Sequence, residues 1–129
     1  MAALETRVRG AHQALTPVVD VARDPRWGRV AEGSGEDPYL GARMAQAVVR
    51  GFQGDDMSMP DKLVACAKHY VGYGSAEGGR DYDSGEISEP TLRDVYLPSF
   101  QAAARAGVGT FMSAFLDLNG TPVPASRRL

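Results

Sequence analysis

The stretch LVACAKH, residues 63–69, decides how this chain folds. Five apolar residues run without interruption into Lys68 and His69, and a strand is expected over residues 63–67. Runs that are short and apolar on both faces are typical of parallel strands covered by helices on either side. Two other stretches have this character, QALTPVV at 13–19 and VGTFMSAF at 108–115. The sequence therefore predicts three parallel strands.

The segment between the first two strands predicts a helix over residues 38–52. Asp37 can cap its first turn, and Pro38 occupies the first helical position, where a missing N–H costs nothing. Gly54 can end the helix. Its apolar residues recur every four positions and define the face that we expect to be buried: Leu40, Met44, Val48 and Phe52, with Ala47 beside them.

A second helix is predicted over residues 89–106, before the third strand. Ser88 is its expected N-cap, and Gly107 closes it in a left-handed conformation. Its apolar stripe comprises Leu92, Val95, Tyr96, Phe100 and Ala103. Residues 1–10 have the pattern of the end of a further helix. The order α-β-α-β-α-β predicts an α/β fold with parallel pairing and right-handed crossovers.

The composition excludes several classes of protein. The 129 residues are enough for one domain at most, and 14 basic against 16 acidic residues give a net charge of −2. A protein that binds nucleic acid through its phosphates usually carries a basic excess, which is missing here. Cys66 is the only cysteine, so neither a disulfide framework nor a cysteine zinc site is expected. No apolar run reaches the ~20 residues of a membrane span, and residues 1–10 lack the apolar core of a signal peptide.

Polar, glycine-rich and aromatic residues gather in the loops that follow the strands, where α/β folds place their sites. Lys68 and His69 end the second strand and offer several N–H donors, which suit sugar hydroxyls or an anion. Neighbouring residues of an extended strand point to opposite faces. For both side chains to reach one ligand the backbone must turn sharply, so we expect a non-extended conformation or a cis peptide at 68–69. The alternative is a strand that simply emerges into solvent.

A second group of candidates lies in the first long loop, which reads RDPRWGR at 23–29. Arginine presents a rigid fork of donors to hydroxyls or carboxylates. Arg26 is expected to be structural, held by an ion pair with one of the acids at positions 32–37. For Arg29 both a structural role and a ligand-binding role remain open. Trp27 either stacks on a sugar face or plugs the base of the loop.

Acidic residues are frequent in the second long loop, at Glu77, Asp81, Asp83 and Glu86. Glycosidases need two carboxyl groups ~5–10 Å apart, but position along a loop does not place these four, and solvated acids are the default. The ligand spacing of an EF-hand is absent, and two histidines make a multi-histidine metal site improbable. No Gly-x-Ser-x-Gly motif occurs. We expect no metal and no cofactor.

Three segments together resemble one family: PVVDVARDPRWGRVAEGSGEDPYL at 17–40, VACAKHYVGYGSAEGGRDYD at 64–83 and GTFMSAFLDLNGTP at 109–122. In order and spacing they are similar to the amino-terminal barrel domain of glycoside hydrolase family 3, the β-glucosidase and β-xylosidase type. The resemblance covers most of the chain. It implies a partial (β/α)8 barrel of the TIM type, with about three of the eight strands present.

The resemblance also implies an activity, namely hydrolysis of terminal non-reducing β-glucosidic or β-xylosidic bonds by a retaining, two-step mechanism. By motif position, Arg29, Lys68 and His69 resemble the residues that hold the hydroxyls of the reacting sugar. Phe115 falls where many relatives carry a site aromatic. The implied partners are a β-linked oligosaccharide or an aryl or alkyl glycoside and the remainder of a parent enzyme, with no nucleic acid and no membrane. Family members are often periplasmic or secreted, which leaves the compartment open.

The sequence departs from the family pattern in what it lacks. The nucleophile of the family is an aspartate in a strand beyond the third loop, and the acid/base comes from a following domain or loop. Neither is found before Leu129, so residues 1–129 are expected to be a fragment of the barrel domain that is inactive alone. The N-acetylglucosaminidase branch, with its KHFPGHG loop, is disfavoured because this loop reads KHYVGYG at 68–74.

Two other functions remain open at this point. A non-catalytic carbohydrate-binding or interaction module would keep the donors and lack the nucleophile. A phosphate-binding α/β protein would use the glycine-rich stretch at 33–35, but the lysine of a Walker motif is missing there.

Overall fold

The computed structural model describes residues 1–129 and centres on a parallel sheet of three strands in the spatial order β1-β2-β3. These strands are β1 (Gln13–Ala14), β2 (Val64–Tyr70) and β3 (Thr110–Ser113). Gln13 lies opposite Val64 across the first pair, and Cys66 lies opposite Thr110 across the second. Each connection passes through a helix, so the predicted α/β alternation with parallel pairing is confirmed.

Four α-helices accompany the sheet: α1 (Ala2–Val8), α2 (Pro38–Gln53), α3 (Glu89–Thr91) and α4 (Leu97–Arg105). After β3 the chain forms a small antiparallel hairpin that the sequence did not predict, made of β4 (Asp117–Leu118) and β5 (Thr121–Pro122). Short 3-10 turns occupy Val30–Glu32, Tyr73–Ser75, Glu77–Gly79 and Val123–Ala125. No helix is both long enough and apolar enough to span a membrane.

The predicted helix ends are confirmed in detail. The side chain of Asp37 accepts a hydrogen bond from the N–H of Tyr39 at 2.9 Å and so caps α2. Ser88 caps α3 through a bond from the N–H of Thr91. Gly107 follows α4 with φ +78°, a left-handed conformation that favours glycine.

The second predicted helix is interrupted, which corrects the expectation of one continuous element over 89–106. Between α3 and α4 the residues Leu92–Tyr96 form a π-helical turn. This widening directly precedes Pro98 in the next turn, and proline has no N–H to donate to the carbonyl four residues earlier. The predicted apolar stripe survives the change, because Leu92, Tyr96 and Phe100 are all buried.

The buried face of α2 differs from the predicted one. Leu40 and Met44 are 47% and 45% exposed, whereas the residues one position further along are buried. The buried set also recurs every four positions and consists of Gly41, Ala45, Val49 and Gln53. Small residues on this face let α2 approach α4 closely, since a Cβ on Gly41 would lie 2.7 Å from the Oγ of Ser99.

The first strand is shorter than predicted, and the second is longer. Proline has no N–H to donate to a ladder, and β1 ends before Pro17, which follows a cis peptide bond. The chain nevertheless continues beside β2: Val18 bridges Lys68, and the N–H of Val19 donates to the carbonyl of Lys68 at 2.8 Å. This second contact places residue 20 at the carboxyl end of the sheet.

Gln53 ties the end of α2 to two strands. Its Oε1 accepts from the N–H groups of Ala65 at 3.1 Å and Gly109 at 2.8 Å, and its Nε2 donates to the carbonyl of Gly107 at 2.8 Å. The side chain is buried, so these bonds form in a low-dielectric setting where unpaired groups are costly. One glutamine thereby fixes the helix against β2 and the start of β3.

Candidate functional site

The candidate site lies at the carboxyl end of β2, where Lys68 and His69 leave the sheet. The Lys68–His69 peptide bond is cis, as is the Tyr70–Val71 bond, and the pairing of β2 with β3 shifts register between Lys68 and Tyr70. The expected departure from a regular extended strand at 68–69 is therefore confirmed. Lys68 is half-buried and His69 is buried, so this strand does not simply emerge into solvent.

His69 is held by a residue that the sequence reasoning missed. The carboxylate of Asp20 lies 2.8 Å from the ring Nδ1 of His69 and accepts from the backbone N–H of His69 at 3.2 Å through both oxygens. Both side chains are almost completely buried, at 2% and 1% exposure. The available signal was an acid between two valines, Val19 and Val21, because an aspartate in an apolar stretch is rarely buried without a partner.

Arg29 lies in the same region and is paired with Glu32. Its Nε is 2.7 Å from Oε1 and its Nη2 is 2.9 Å from Oε2, a two-point pair within one 3-10 turn. Hydrogen bonding to Glu32 raises the pKa of Arg29 further above its ordinary value. Arg29 is thus a permanent cation, and its remaining nitrogen, Nη1, has no partner among the hydrogen bonds of the chain.

Glu32 links the three predicted binding residues electrostatically. The pKa of its carboxyl group is lowered chiefly by the hydrogen bond from Arg29 and further by the charges of Arg29, Lys68 and His69. The amine of Lys68 makes no hydrogen bond or ion pair within the chain. The fold therefore brings Arg29, Lys68 and His69 to one place, with an anion among them.

Tyr73 forms the floor between Arg29 and His69. Its ring centroid lies 4.8 Å from that of His69, and the guanidinium carbon of Arg29 lies 5.4 Å from it. Phe115 packs against both His69 and Tyr73, with 5.3 Å and 5.6 Å between ring centroids, and remains 53% exposed. Phe115 thus shapes the edge of the site with an apolar ring that has no hydroxyl to donate.

Trp27 plugs the base of the first loop, so the alternative of a free stacking platform is wrong. The residue is 2% exposed, and its Nε1 donates to Asp81 at 3.0 Å. The hydroxyl of Tyr73 donates to the same oxygen of Asp81 at 2.7 Å. Burial raises the pKa of Asp81, but the two hydrogen bonds outweigh that effect and the pKa lies below its usual value. Asp81 is therefore ionised, and its hydrogen bond from Trp27 links the second long loop to the first.

Arg26 and Asp83 are each paired with a neighbour outside this group of residues. Arg26 is structural, as expected, but its partner is Asp24 rather than an acid at 32–37, and the pair is exposed. The hydrogen bonds from Arg26 lower the pKa of Asp24 to about 2. Asp83 pairs with Arg80 at the surface. No cluster of three histidine, cysteine or acidic side chains is arranged to hold a metal ion.

The arrangement as a whole is suited to a neutral, hydroxyl-rich ligand. Three basic side chains meet at the carboxyl ends of parallel strands, and each keeps an unpartnered polar atom: Arg29 Nη1, Lys68 Nζ and His69 Nε2. His69 is oriented by the buried carboxylate of Asp20, and Arg29 is paired with the exposed carboxylate of Glu32. A glycoside hydrolase barrel is the class of protein that this fold and this donor set define.

Comparison with known protein families agrees with that class. The model of the glycosyl hydrolase family 3 N terminal domain matches residues 1–129, and the chain belongs to this family. It is 39% identical over 122 residues to the periplasmic beta-glucosidase of Salmonella typhimurium, a match that covers 95% of this chain and 16% of that protein. It is 44% identical over 124 residues to a beta-xylosidase of Formosa agariphila, covering 93% of this chain and 17% of that protein.

Solved structures show the same relationship. The beta-glucosidase of Listeria innocua superposes with a TM-score of 0.96 at 40% identity, covering 98% of this chain and 18% of that one. Its complex with glucose superposes with a TM-score of 0.91 at 41% identity, over 94% of this chain and 17% of that one. The fold is therefore part of a family 3 (β/α)8 barrel. The chain spans less than one fifth of the length of these relatives.

Proposed function

We propose that the protein carrying this chain hydrolyses terminal non-reducing β-glucosidic or β-xylosidic bonds, and that Arg29, Lys68 and His69 hold hydroxyls of the reacting sugar. The observation that carries the proposal is the convergence of three basic side chains, each with an unpartnered polar atom, at one end of the sheet. The similarity to glucosidases and a xylosidase supports the same reading.

The energetics favour a sugar over a charged ligand. A hydrogen bond from a charged group such as Arg29 or Lys68 to a sugar hydroxyl contributes ~1.5–3 kcal/mol, and Nε2 of His69 offers a further bond, so these residues give useful affinity without a strong field. Glu32 neutralises part of the positive charge of the cluster, which weakens its attraction for a free anion. The net charge of −2 is consistent with a neutral substrate that needs no long-range steering.

The proposed mechanism is the retaining one of the family, with a division of roles. A carboxylate outside residues 1–129 attacks the anomeric carbon, and a second acid protonates the leaving group and later activates water. The residues of this chain position the ring. Donors that bind the hydroxyls more strongly in the transition state than in the ground state would raise kcat as well as affinity.

We also propose that residues 1–129 are a fragment of the barrel domain and that the isolated fragment is inactive. The span of 16–18% of the relatives' length supports this. The purified 129-residue chain should release no nitrophenol from an aryl β-glucoside above a contaminant control. Measurable turnover that copurifies with the chain would overturn this part of the proposal.

The decisive experiment compares variants of the protein that carries this chain, using aryl β-glucoside and aryl β-xyloside substrates. Arg29→Gln, Lys68→Gln and His69→Gln should each lower kcat/KM by about 10- to 100-fold, the equivalent of one lost charged hydrogen bond. Arg26→Gln is the matched control, since Arg26 is an exposed arginine of the same loop and should leave kcat/KM unchanged. Equal activity of the three variants and the control would refute the assignment of the subsite.

Two outcomes would favour the other functions. A stop codon directly after Leu129, with glucose binding but no hydrolysis, would indicate a carbohydrate-binding module, whereas a downstream strand ending in Ser-Asp indicates the enzyme. Binding of inorganic phosphate in preference to glucose, measured by calorimetry, would indicate a phosphate-binding protein.

A further inference from the structure

The contact between Asp20 and His69 is more specific than general packing requires. One carboxylate meets two different groups of one residue, the backbone N–H at 3.2 Å and the ring Nδ1 at 2.8 Å. A carboxylate oxygen can only accept a hydrogen bond, so Nδ1 must carry the proton in this contact. The opposite ring nitrogen, Nε2, is then the atom left for a ligand.

Several observations show that Nε2 is available. It has no hydrogen-bond partner in the chain, yet it is not among the buried unpaired polar atoms, which are Glu89 Oε2 and Ser99 Oγ. The ring itself cannot swing, because Tyr73 and Phe115 pack against it at centroid distances of 4.8 and 5.3 Å. His69 is thus a buried ring with one accessible nitrogen.

Asp20 is positioned by the pairing of the two preceding residues, Val18 and Val19, with β2. The chain rejoins β2 where Val18 bridges Lys68 and the N–H of Val19 donates to Lys68. Asp20 therefore lies beside His69, although the two residues are 49 positions apart in the chain. Asp20 itself is only 4% exposed, so its carboxylate is shielded from bulk solvent.

We propose that Asp20 is the positioning residue of the sugar subsite, which fixes the tautomer and orientation of His69 so that Nε2 faces the substrate hydroxyl. This inference rests on the proposed function for its substrate, but the bond between Asp20 and the Nδ1 proton is independent of any ligand. A carboxylate behind a histidine fixes the second nitrogen in the same way in metal sites and catalytic triads. In the neutral ring Nε2 accepts a hydrogen bond from a hydroxyl, and in the protonated ring it donates one.

The test reads the protonation state of the ring nitrogens by ¹⁵N NMR at alkaline pH. The spectra are recorded on the protein that carries this chain, and the resonances of His69 are assigned by their loss in His69→Gln. We expect a proton on Nδ1 and a bare Nε2 for His69. In Asp20→Asn the amide nitrogen can donate to Nδ1, which should move the proton to Nε2. Solid-state spectra report the same nitrogens if the chain associates.

Asp24→Asn is the matched control, because Asp24 lies in the same loop and pairs with Arg26 instead of His69. It should leave the ring state of His69 unchanged. A bare Nδ1 in the unsubstituted chain overturns the proposal directly, even if Asp20→Asn fails to fold. The same tautomer in folded Asp20→Asn and in the unsubstituted chain also overturns it.

Titration with glucose separates this inference from the proposed function. A shift of the Nε2 resonance in the unsubstituted chain and in Asp24→Asn, and its loss in Asp20→Asn, supports both. A protonated Nδ1 that depends on Asp20, without any response to glucose, supports the positioning role and counts against the sugar subsite.

Discussion

Arg29 and Glu32 form a two-point ion pair across one 3-10 turn, with distances of 2.7 Å and 2.9 Å. The pair fixes two nitrogens of the guanidinium, Nε and Nη2, and leaves Nη1 outside the pair. The side chain of Arg29 is therefore held in place by Glu32 and still has N–H groups that can donate to a ligand. An ion pair with Glu32 does not exclude a ligand-binding role for Arg29, because the guanidinium has enough N–H donors for both.

The pair makes stability depend on pH in the acid range. Because the pKa of Glu32 is below its ordinary value of 4.5 in the folded state, its contribution is complete above 4.5 and is lost as the pH falls through the folded pKa. Glu32→Gln should therefore lower the unfolding midpoint near neutral pH, with no difference from the unsubstituted protein in strong acid. The carboxylate is 45% exposed, so we expect an effect below about 1 kcal/mol.

Urea midpoints measured along a pH series check this prediction. Glu36→Gln is the control, since Glu36 is an exposed acid nearby that makes no ion pair within the chain. A difference between Glu32→Gln and the unsubstituted protein that persists unchanged in strong acid would contradict the assigned cause.

Replacement of Gln53 should destabilise the fold strongly. Gln53→Leu removes the partners of two backbone N–H groups and one carbonyl in a buried setting, at a cost of about 2–5 kcal/mol. Gln101→Leu is the control, because Gln101 is exposed on α4 and should change stability by no more than ~0.5 kcal/mol. Denaturant unfolding measures the stability of both variants. Equal midpoints would show that the hydrogen bonds of Gln53 contribute little to stability.

The two long loops approach each other closely at Gly74. A Cβ at this position would lie 2.3 Å from the carbonyl oxygen of Val21, a backbone atom that no side-chain rotation can move. Gly74→Ala should cost about 1–3 kcal/mol and displace Tyr73, with lower kcat/KM in the active protein. Gly28→Ala, where nothing lies within 4 Å of a Cβ, should have little effect on stability. Thermal unfolding of the pair of variants tests the steric argument.

The isolated 129-residue chain should associate. Its sheet has open edges at β1 and β3, and Leu15 and Phe111 beside these edges are 55% and 45% exposed. Unpaired strand edges with apolar side chains favour contact between molecules. Phe111→Lys should reduce the associated fraction, whereas Tyr39→Lys, which changes an exposed ring on α2, should not. Sedimentation velocity distinguishes the two, and a monodisperse, cooperatively melting monomer of the unsubstituted chain would contradict the expectation.

Local signals in the sequence located the helix ends but not the buried face of α2. Asp37, Ser88 and Gly107 act through neighbours a few residues away, so their roles follow from short patterns. Residues 40, 44 and 48 and residues 41, 45 and 49 both recur every four positions. Which face is buried depends on how closely α4 approaches, and that is a property of the packed pair.

The sequence by itself determined the α/β alternation, the parallel order of the strands and the gathering of Arg29, Lys68 and His69 in loops at strand ends, because hydrophobic periodicity and family motifs act over short spans. Only the tertiary structure decided that Asp20 holds His69, that Glu32 lies among the three bases and that Trp27 is a plug bonded to Asp81. Asp20 and His69 are 49 residues apart, and Trp27 and Asp81 are 54 apart. A local pattern can show that a residue such as Asp20 needs a partner, but it does not identify the partner, since these hydrogen bonds exist only once the sheet has brought the loops together.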